Sequence, residues 1–202
     1  MQAALEVFGE RGLAAARLDD VAKRAGLSKG TIYLYFPNKE ELFREMVRHT
    51  VVSQIEKREQ LVNDSSGSAT DLLVHFMRDH WKFIRTAQFA PLFRLMHAEI
   101  QNFPDLARFY GEEVVARGQR LLAGIISKGI ESGEFRDADP TVVARMIVCG
   151  FVMHGMWCSH RDCFTSVAQK TDDQLLDELI EFYLHAIKKS DAVNHASRTR
   201  KS

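Results

Sequence analysis

The stretch Leu18-Asp19-Asp20-Val21-Ala22-Lys23-Arg24-Ala25-Gly26-Leu27-Ser28-Lys29-Gly30-Thr31-Ile32-Tyr33-Leu34-Tyr35-Phe36-Pro37-Asn38-Lys39 decides the fold. Leu18, Val21, Ala22 and Ala25 recur at helical spacing and predict one short amphipathic helix. Gly26 follows as a helix stop, because glycine enters the left-handed region without a steric penalty. Leu27 is expected to turn back into the core. Ser28 is a strong N-cap, and Lys29 to Phe36 predicts a second short helix with Ile32 and Phe36 inward. Pro37 ends it, since a residue before proline is pushed away from helical angles. Two short helices around a tight glycine turn have the geometry of a helix-turn-helix.

The outward positions of the second helix are Lys29, Gly30, Thr31, Tyr33, Leu34 and Tyr35. They supply one cation, three hydroxyls and a glycine that permits close approach, and Ser28 to Asn38 contains no acid. A solvated helix face ordinarily mixes both signs of charge. This one suits a polyanion, with hydroxyls and an amine for phosphates and base edges.

A longer run carries a family resemblance. Ala3-Ala4-Leu5-Glu6-Val7-Phe8, Gly12, Asp20-Val21-Ala22, Ala25-Gly26, Ser28 to Phe36 and Lys39-Glu40-Glu41-Leu42 resemble the TetR family of bacterial transcriptional regulators over about the first fifty residues. The resemblance implies an all-α fold of about nine helices. A three-helix DNA-binding domain would span residues 1–48, and an effector-binding and dimerisation domain 49–188. It implies a repressor that leaves a palindromic operator when a small hydrophobic ligand binds. Ser28, Lys29, Gly30, Thr31, Tyr33, Tyr35 and Lys39 are the expected DNA contacts. Arg17 joins them, standing near where the family has a capping hydroxyl. Two alternatives stay open at this point: an activator, and a ligand- or metal-binding helical protein with impaired DNA binding.

Composition agrees with a globular chain. Of 202 residues 46% are apolar and thirteen are Phe, with a formal net charge of zero. A chain that coats itself with lysine for non-specific nucleic-acid binding is thereby excluded, and DNA contact must come from a local patch. Cys149, Cys158 and Cys163 have no framework spacing, which fits free thiols in a reducing compartment. No secretory signal is read at the first helix, and no apolar run is read as reaching the roughly twenty residues of a membrane span. A cytoplasmic location is expected.

Around the central stretch, Met1 to Arg11 reads as a supporting helix closed by Gly12, and Lys39 to about Val62 as a long connector. Further helices are predicted at 69–86, 89–102, 106–132, 141–160 and 172–188. Thr141 to His160 is apolar on nearly every side, so it must be covered on most sides. Together with 172–188 it carries more apolar surface than one core absorbs, and the resemblance makes this pair the homodimer interface. Residues 189–202 read as a disordered basic tail.

The larger domain is rich in inward aromatic and sulfur side chains. Phe76, His80, Phe93, Met96, His97, Phe103, Met146, Cys149, Phe151, Met153, His154 and Trp157 form one candidate group that suits an apolar pocket for a hydrophobic effector, with His97 and His154 as polar handles. His154, Cys158, His160 and Cys163 lack the spacing of a structural zinc site, so no metal or other cofactor is expected. No nucleophile elbow, phosphate loop or paired-carboxylate motif occurs, and catalysis is not expected.

Overall fold

A computed structural model describes residues 1–189, and the stretch from 190 on, with nearly all of the expected tail, lies outside the described residues. Apart from an isolated bridge between Phe135 and Lys188, the regular structure among the described residues is helical. The helices are α1 (Gln2–Ala15), α2 (Leu18–Arg24), α3 (Lys29–Tyr35), α4 (Lys39–Val47), α5 (Ser53–Asp64) and α6 (Ala69–Ile84). They continue with α7 (Phe89–Glu99), α8 (Pro104–Tyr110), α9 (Arg117–Glu131), α10 (Pro140–Cys158), α11 (Thr165–Ala168) and α12 (Asp172–Ile187).

Two expected long helices are interrupted by wider turns. π-helical segments at Arg48–Val52 and Gly111–Ala116 join α4 to α5 and α8 to α9. Periodicity cannot reveal such a turn, because one extra residue per turn barely disturbs the apolar pattern. The first helix also differs. It runs to Ala15, with Gly12 at φ 73° and ψ 157° forming a kink rather than a stop.

The chain forms two compact units that are not consecutive in sequence. One comprises Met1–Leu61 and Lys82–Gly118; the other comprises Val62–Trp81 and the described residues from Gln119 on. In the first unit, Phe8, Leu13, Phe43 and Val47 are fully enclosed. The Phe8 and Phe43 rings meet at 6.3 Å. α1 packs on α2, α4 and α7, α4 packs on α8, and the two π segments pack on each other.

In the second unit, Leu73, Met77, Leu122, Ile125, Ile126, Ile147 and Phe151 form the innermost layer. Gly129 lets the chain fold tightly, since a Cβ there would lie 2.1 Å from the Phe135 ring. The turn after α9 then delivers Glu134 to the start of α6. Its carboxylate accepts hydrogen bonds from the amides of Ala69 and Thr70, both at 2.9 Å, and from the Thr70 hydroxyl at 2.8 Å. These donors hold the Glu134 pKa at about 2. The opposite end of the same turn closes α12: Arg136 Nε donates to the Ala186 carbonyl at 2.6 Å.

α10 departs from the sequence reading. It has 19 residues and is long and apolar enough, by length and composition, to cross a membrane. Arg145 interrupts the run, which is why it is easily passed over. The stripe Ala144, Ile147, Phe151, Gly155 and Cys158 is buried within the unit, as in a packed helix.

Because Glu134 is ionised far more readily when folded, its contribution is complete above its ordinary pKa near 4.5 and is lost as pH falls from there towards 2. Glu134→Gln is expected to lower stability at neutral pH by about 1–2 kcal/mol, the size of a helix cap. The difference from the native chain should narrow in acid unfolding between those limits, and a pH-independent difference would remove the carboxylate from this role.

Candidate functional site

The reading surface is built from a helix stop. Gly26 sits at φ 69°. The Leu27 amide bonds the Ala22 carbonyl at 2.9 Å, and the Gly26 amide bonds the Lys23 carbonyl at 3.3 Å. This pair of bonds is a Schellman motif, which satisfies the last carbonyls of α2 and turns the chain sharply into α3. Ser28 then caps α3, its Oγ accepting the Thr31 amide at 3.0 Å and lying 2.7 Å from Thr31 Oγ1. Asn38 caps α4 through the Glu41 amide at 2.8 Å.

From α3 only Ile32 is buried. Phe36 is half-buried, while Ala25 and Leu27 are exposed rather than inward, because the Schellman turn carries them around the outside of the corner. The exposed face presents Tyr33 at 45%, Leu34 at 84% and Tyr35 at 74%. Leu34 is not among the expected contacts, although its place off the Ile32 face is legible in the sequence. An exposed apolar tip suits a thymine methyl. A Cβ at Gly30 would meet nothing closer than Ser28 Oγ at 3.8 Å, so the chain's own packing does not require glycine there.

The cations are more committed than the sequence suggests. Arg11 pairs with Asp20 at 2.8 Å, and Arg24 makes a two-pronged contact with Glu10 at 2.8 and 2.9 Å. Lys29 donates to Asp19 Oδ2 at 2.8 Å and lies over the Tyr33 ring at 5.7 Å. The acid-free face of α3 therefore acquires an acid from α2. Lys39, expected at a phosphate, instead donates to the Ala14 and Ala16 carbonyls at 2.6 and 3.3 Å, closing the end of α1. Arg17 takes the N-cap position of α2 with no side-chain cap bond. Among the described residues from Met1 to Val47, Arg17 and Lys23 hold neither a carboxylate nor a carbonyl.

The same compact unit ties this surface to α7 and α8. Glu99, on α7, accepts the Leu13 amide at 2.9 Å, just past the Gly12 kink. A Cβ at residue 12 would lie 2.9 Å from the same carboxylate oxygen. Arg44 and Arg48 lie over the Phe109 ring at 6.0 and 5.1 Å. Arg117 grips Glu59 with two bonds, at 2.8 and 2.6 Å. None of these long-range contacts has a sequence signal, since each joins residues far apart in the chain.

The effector candidates divide between the units. In the first, Phe83, Phe89, Phe93 and His97 form an aromatic ladder with successive centroid separations of 5.0, 5.6 and 3.9 Å. Met96 is buried beside it, Phe103 is half-buried ahead of α8, and His97 is exposed with Nδ1 2.9 Å from the Phe93 carbonyl oxygen. In the second, His80 is buried, stacked on Phe76 at 5.7 Å and tilted on Phe151 at 6.2 Å. His154 and Trp157 are half-buried, and Trp157 stacks on Phe164.

Met146, Cys149 and Met153 are not beside Phe76 and His80. They occupy the exposed side of α10, opposite its buried stripe. Val142 joins them at 41%, Met146 is at 53%, Met153 at 49%, and Phe182 of α12 at 66%. Tyr183 holds the two helices together: its hydroxyl donates to the Met146 carbonyl at 2.8 Å. Any side chain at Gly150 would obstruct it, since a Cβ there would lie 2.1 Å from that hydroxyl.

Comparison with known proteins agrees in both halves. The family of bacterial regulatory proteins, tetR family, matches residues 1–46, and the tetracyclin repressor-like C-terminal domain matches residues 63–181. The fatty acid metabolism regulator protein of Bacillus subtilis is 26% identical over 152 residues, 75% of this chain and 77% of its own length. The transcriptional repressor KstR2 of Mycolicibacterium smegmatis is 26% identical over 200 residues, 97% of this chain and 92% of its own. The structure of the ketosteroid transcriptional regulator KstR2 of Mycobacterium tuberculosis superposes with a TM-score of 0.69 at 25% identity, covering 94% of this chain and 93% of that one.

Gly30→Ala separates folding from recognition. It is expected to stabilise the chain by about 0.5–1 kcal/mol, as alanine does in a helix. The same change should weaken binding to duplex DNA if Gly30 is there to let the backbone approach the groove, because a methyl would stand in the way. Denaturation and duplex titration on the same sample check both, and unchanged affinity would place Gly30 outside the interface.

Proposed function

The chain belongs to the TetR family of bacterial transcriptional regulators, and from that premise we propose that it is a homodimeric, cytoplasmic repressor released from a palindromic operator by a small hydrophobic ligand. The observation that carries the DNA-binding part is α3 itself. It is capped at Ser28, anchored by Ile32 alone, and turns Gly30, Tyr33, Leu34 and Tyr35 outward. In this reading α3 enters the major groove, with Lys29, Thr31 and Leu34 towards base edges and Tyr33 and Tyr35 towards phosphates. Arg17 and Lys23 supply uncommitted positive charge. Lys39 acts from behind, by fixing the end of α1.

A dimer supplies the second reading helix. Val142, Met146, Met153 and Phe182 leave an apolar face on α10 and α12 that water disfavours. We assign this face to the partner protomer, and with it Met146, Cys149 and Met153, rather than to an effector. Two heads held at a fixed separation would read half-sites one helical turn of DNA apart, about 34 Å.

Residues 1–48 serve as the head and 49–188 as the effector and dimer region. The names of the relatives, a fatty acid regulator and a ketosteroid regulator, favour an extended apolar effector such as a fatty-acyl or steroid compound. Release needs a path from effector to head. The contacts of Glu99 with the Gly12 kink and of Phe109 with Arg44 and Arg48 support one, because a shift of α7 or α8 must move α1 or α4. The ligand must bind the released form more tightly, by roughly 1–3 kcal/mol for ordinary coupling.

Selection of bound duplexes from random DNA at stated salt tests the reading, and a two-fold symmetric site is the expected product. Tyr35→Ala should weaken binding to all sequences by a similar factor without altering dimerisation, and unchanged affinity would remove Tyr35 from the interface. Phe182→Glu should convert dimer to monomer in sedimentation and abolish the symmetric site. A Phe182→Glu chain that remains dimeric would place the interface elsewhere.

A further inference from the structure

Asp19 lies in the first turn of α2, and its Oδ2 takes the ammonium of Lys29 at 2.8 Å. Lys29 is the cation of the recognition helix, and its side chain is 70% exposed. Asp19 is more enclosed, and its other oxygen, Oδ1, is shielded from water without a hydrogen-bond partner. The pairing lowers the pKa of Asp19 and raises that of Lys29, so both are charged under ordinary conditions. The Tyr33 hydroxyl and, more weakly, the Arg17 guanidinium also act on both groups from nearby.

A first-turn acid is ordinarily explained by the helix dipole alone. Asp20 already serves that end, pairing with Arg11 away from α3. Asp19 does something further: it fixes where the Lys29 charge can go. A lysine ammonium has three donors, and one is spent on Asp19. The remaining donors point from a held position, with the Tyr33 ring beside them. On DNA of arbitrary sequence, a free lysine swings to whichever phosphate is nearest. A lysine held by a carboxylate cannot do so without breaking the pair, and breaking it leaves Asp19 facing the polyanion. A base-edge acceptor in the groove can be met by a second donor with the pair intact.

We propose that Asp19 is a specificity-determining residue of the DNA-binding head, holding Lys29 back from the phosphate backbone and presenting it to a base-edge acceptor. The inference rests on the DNA-binding reading above. It agrees with the charge of the head, where residues 1–48 hold eight basic and seven acidic side chains. A head so nearly balanced in charge gains little from non-specific phosphate contacts, and releasing Lys29 would restore one such contact.

The test uses the full chain, a duplex pool of random sequence and a salt series. Native chain, Asp19→Asn, Lys29→Ala and the double variant are titrated, with thermal unfolding of each as a check on folding. Asp19→Asn is expected to bind random duplex about tenfold more tightly at low salt, and to steepen the logarithmic salt dependence by about 0.9, the value of one added phosphate contact. In the Lys29→Ala background the same change should have almost no effect, because the two residues act as a pair. Sites selected by Asp19→Asn should lose information at the base pair that Lys29 faces. Asp19→Ser repeats the measurement with a different polar first turn, and the same gain is expected. Unchanged affinity and slope, or an equal gain without Lys29, would overturn the role of Asp19. A native chain that binds no duplex at the lowest salt overturns the DNA-binding reading instead, a distinguishable result.

Discussion

Helix ends govern this molecule. Every helix leaves amides at one end and carbonyls at the other without partners, and each must find a substitute. Several of the substitutes here come from far along the chain. Glu99 takes the amide exposed by the Gly12 kink, and Lys39 takes the last carbonyls of α1. Glu134 takes the first amides of α6, and Arg136 takes a last carbonyl of α12. Each joins elements that sequence separates, so the caps act as tertiary fasteners.

In the first compact unit these fasteners have a functional consequence. α3 is a seven-residue helix with one buried side chain, too short to be stable by itself. It is held from both ends, by the Schellman turn at Gly26 and by the caps at Ser28 and Asn38. Its position therefore follows α2 and α4, and theirs follows α1. Glu99 fixes α1 to α7, and the stack of Arg44 and Arg48 on Phe109 fixes α4 to α8. A reading helix with so little anchorage of its own is well suited to being repositioned by its neighbours.

Charge follows a similar economy. The head is nearly balanced in charge, and most of its cations are tied to acids or carbonyls. In the proposed reading that arrangement would weaken attraction to arbitrary DNA and leave recognition to shape, hydroxyls and a few directed donors. Apolar surface is distributed with comparable selectivity. One stripe of α10 is buried in its own unit, and the opposite one is exposed.

The sequence alone determined the helical class, the helix-turn-helix and the family, because those depend on local spacing: Gly26 at the stop, Ser28 at the cap, Ile32 inward. It also marked Tyr33 and Tyr35 as outward, since periodicity assigns faces. It misplaced Leu27 and Ala25, which face water around a corner whose path periodicity does not describe. It missed the π segments, because one added residue scarcely alters an apolar pattern. The effector candidates grouped by chemistry proved to belong to different units and faces, since inward spacing does not say which interior a side chain enters. Only the tertiary structure decided that Asp19 meets Lys29, that Glu99 meets the Gly12 kink and that Lys39 turns inward. Those contacts depend on how helices pack, and helix packing is set by the sum of many side chains rather than by any motif.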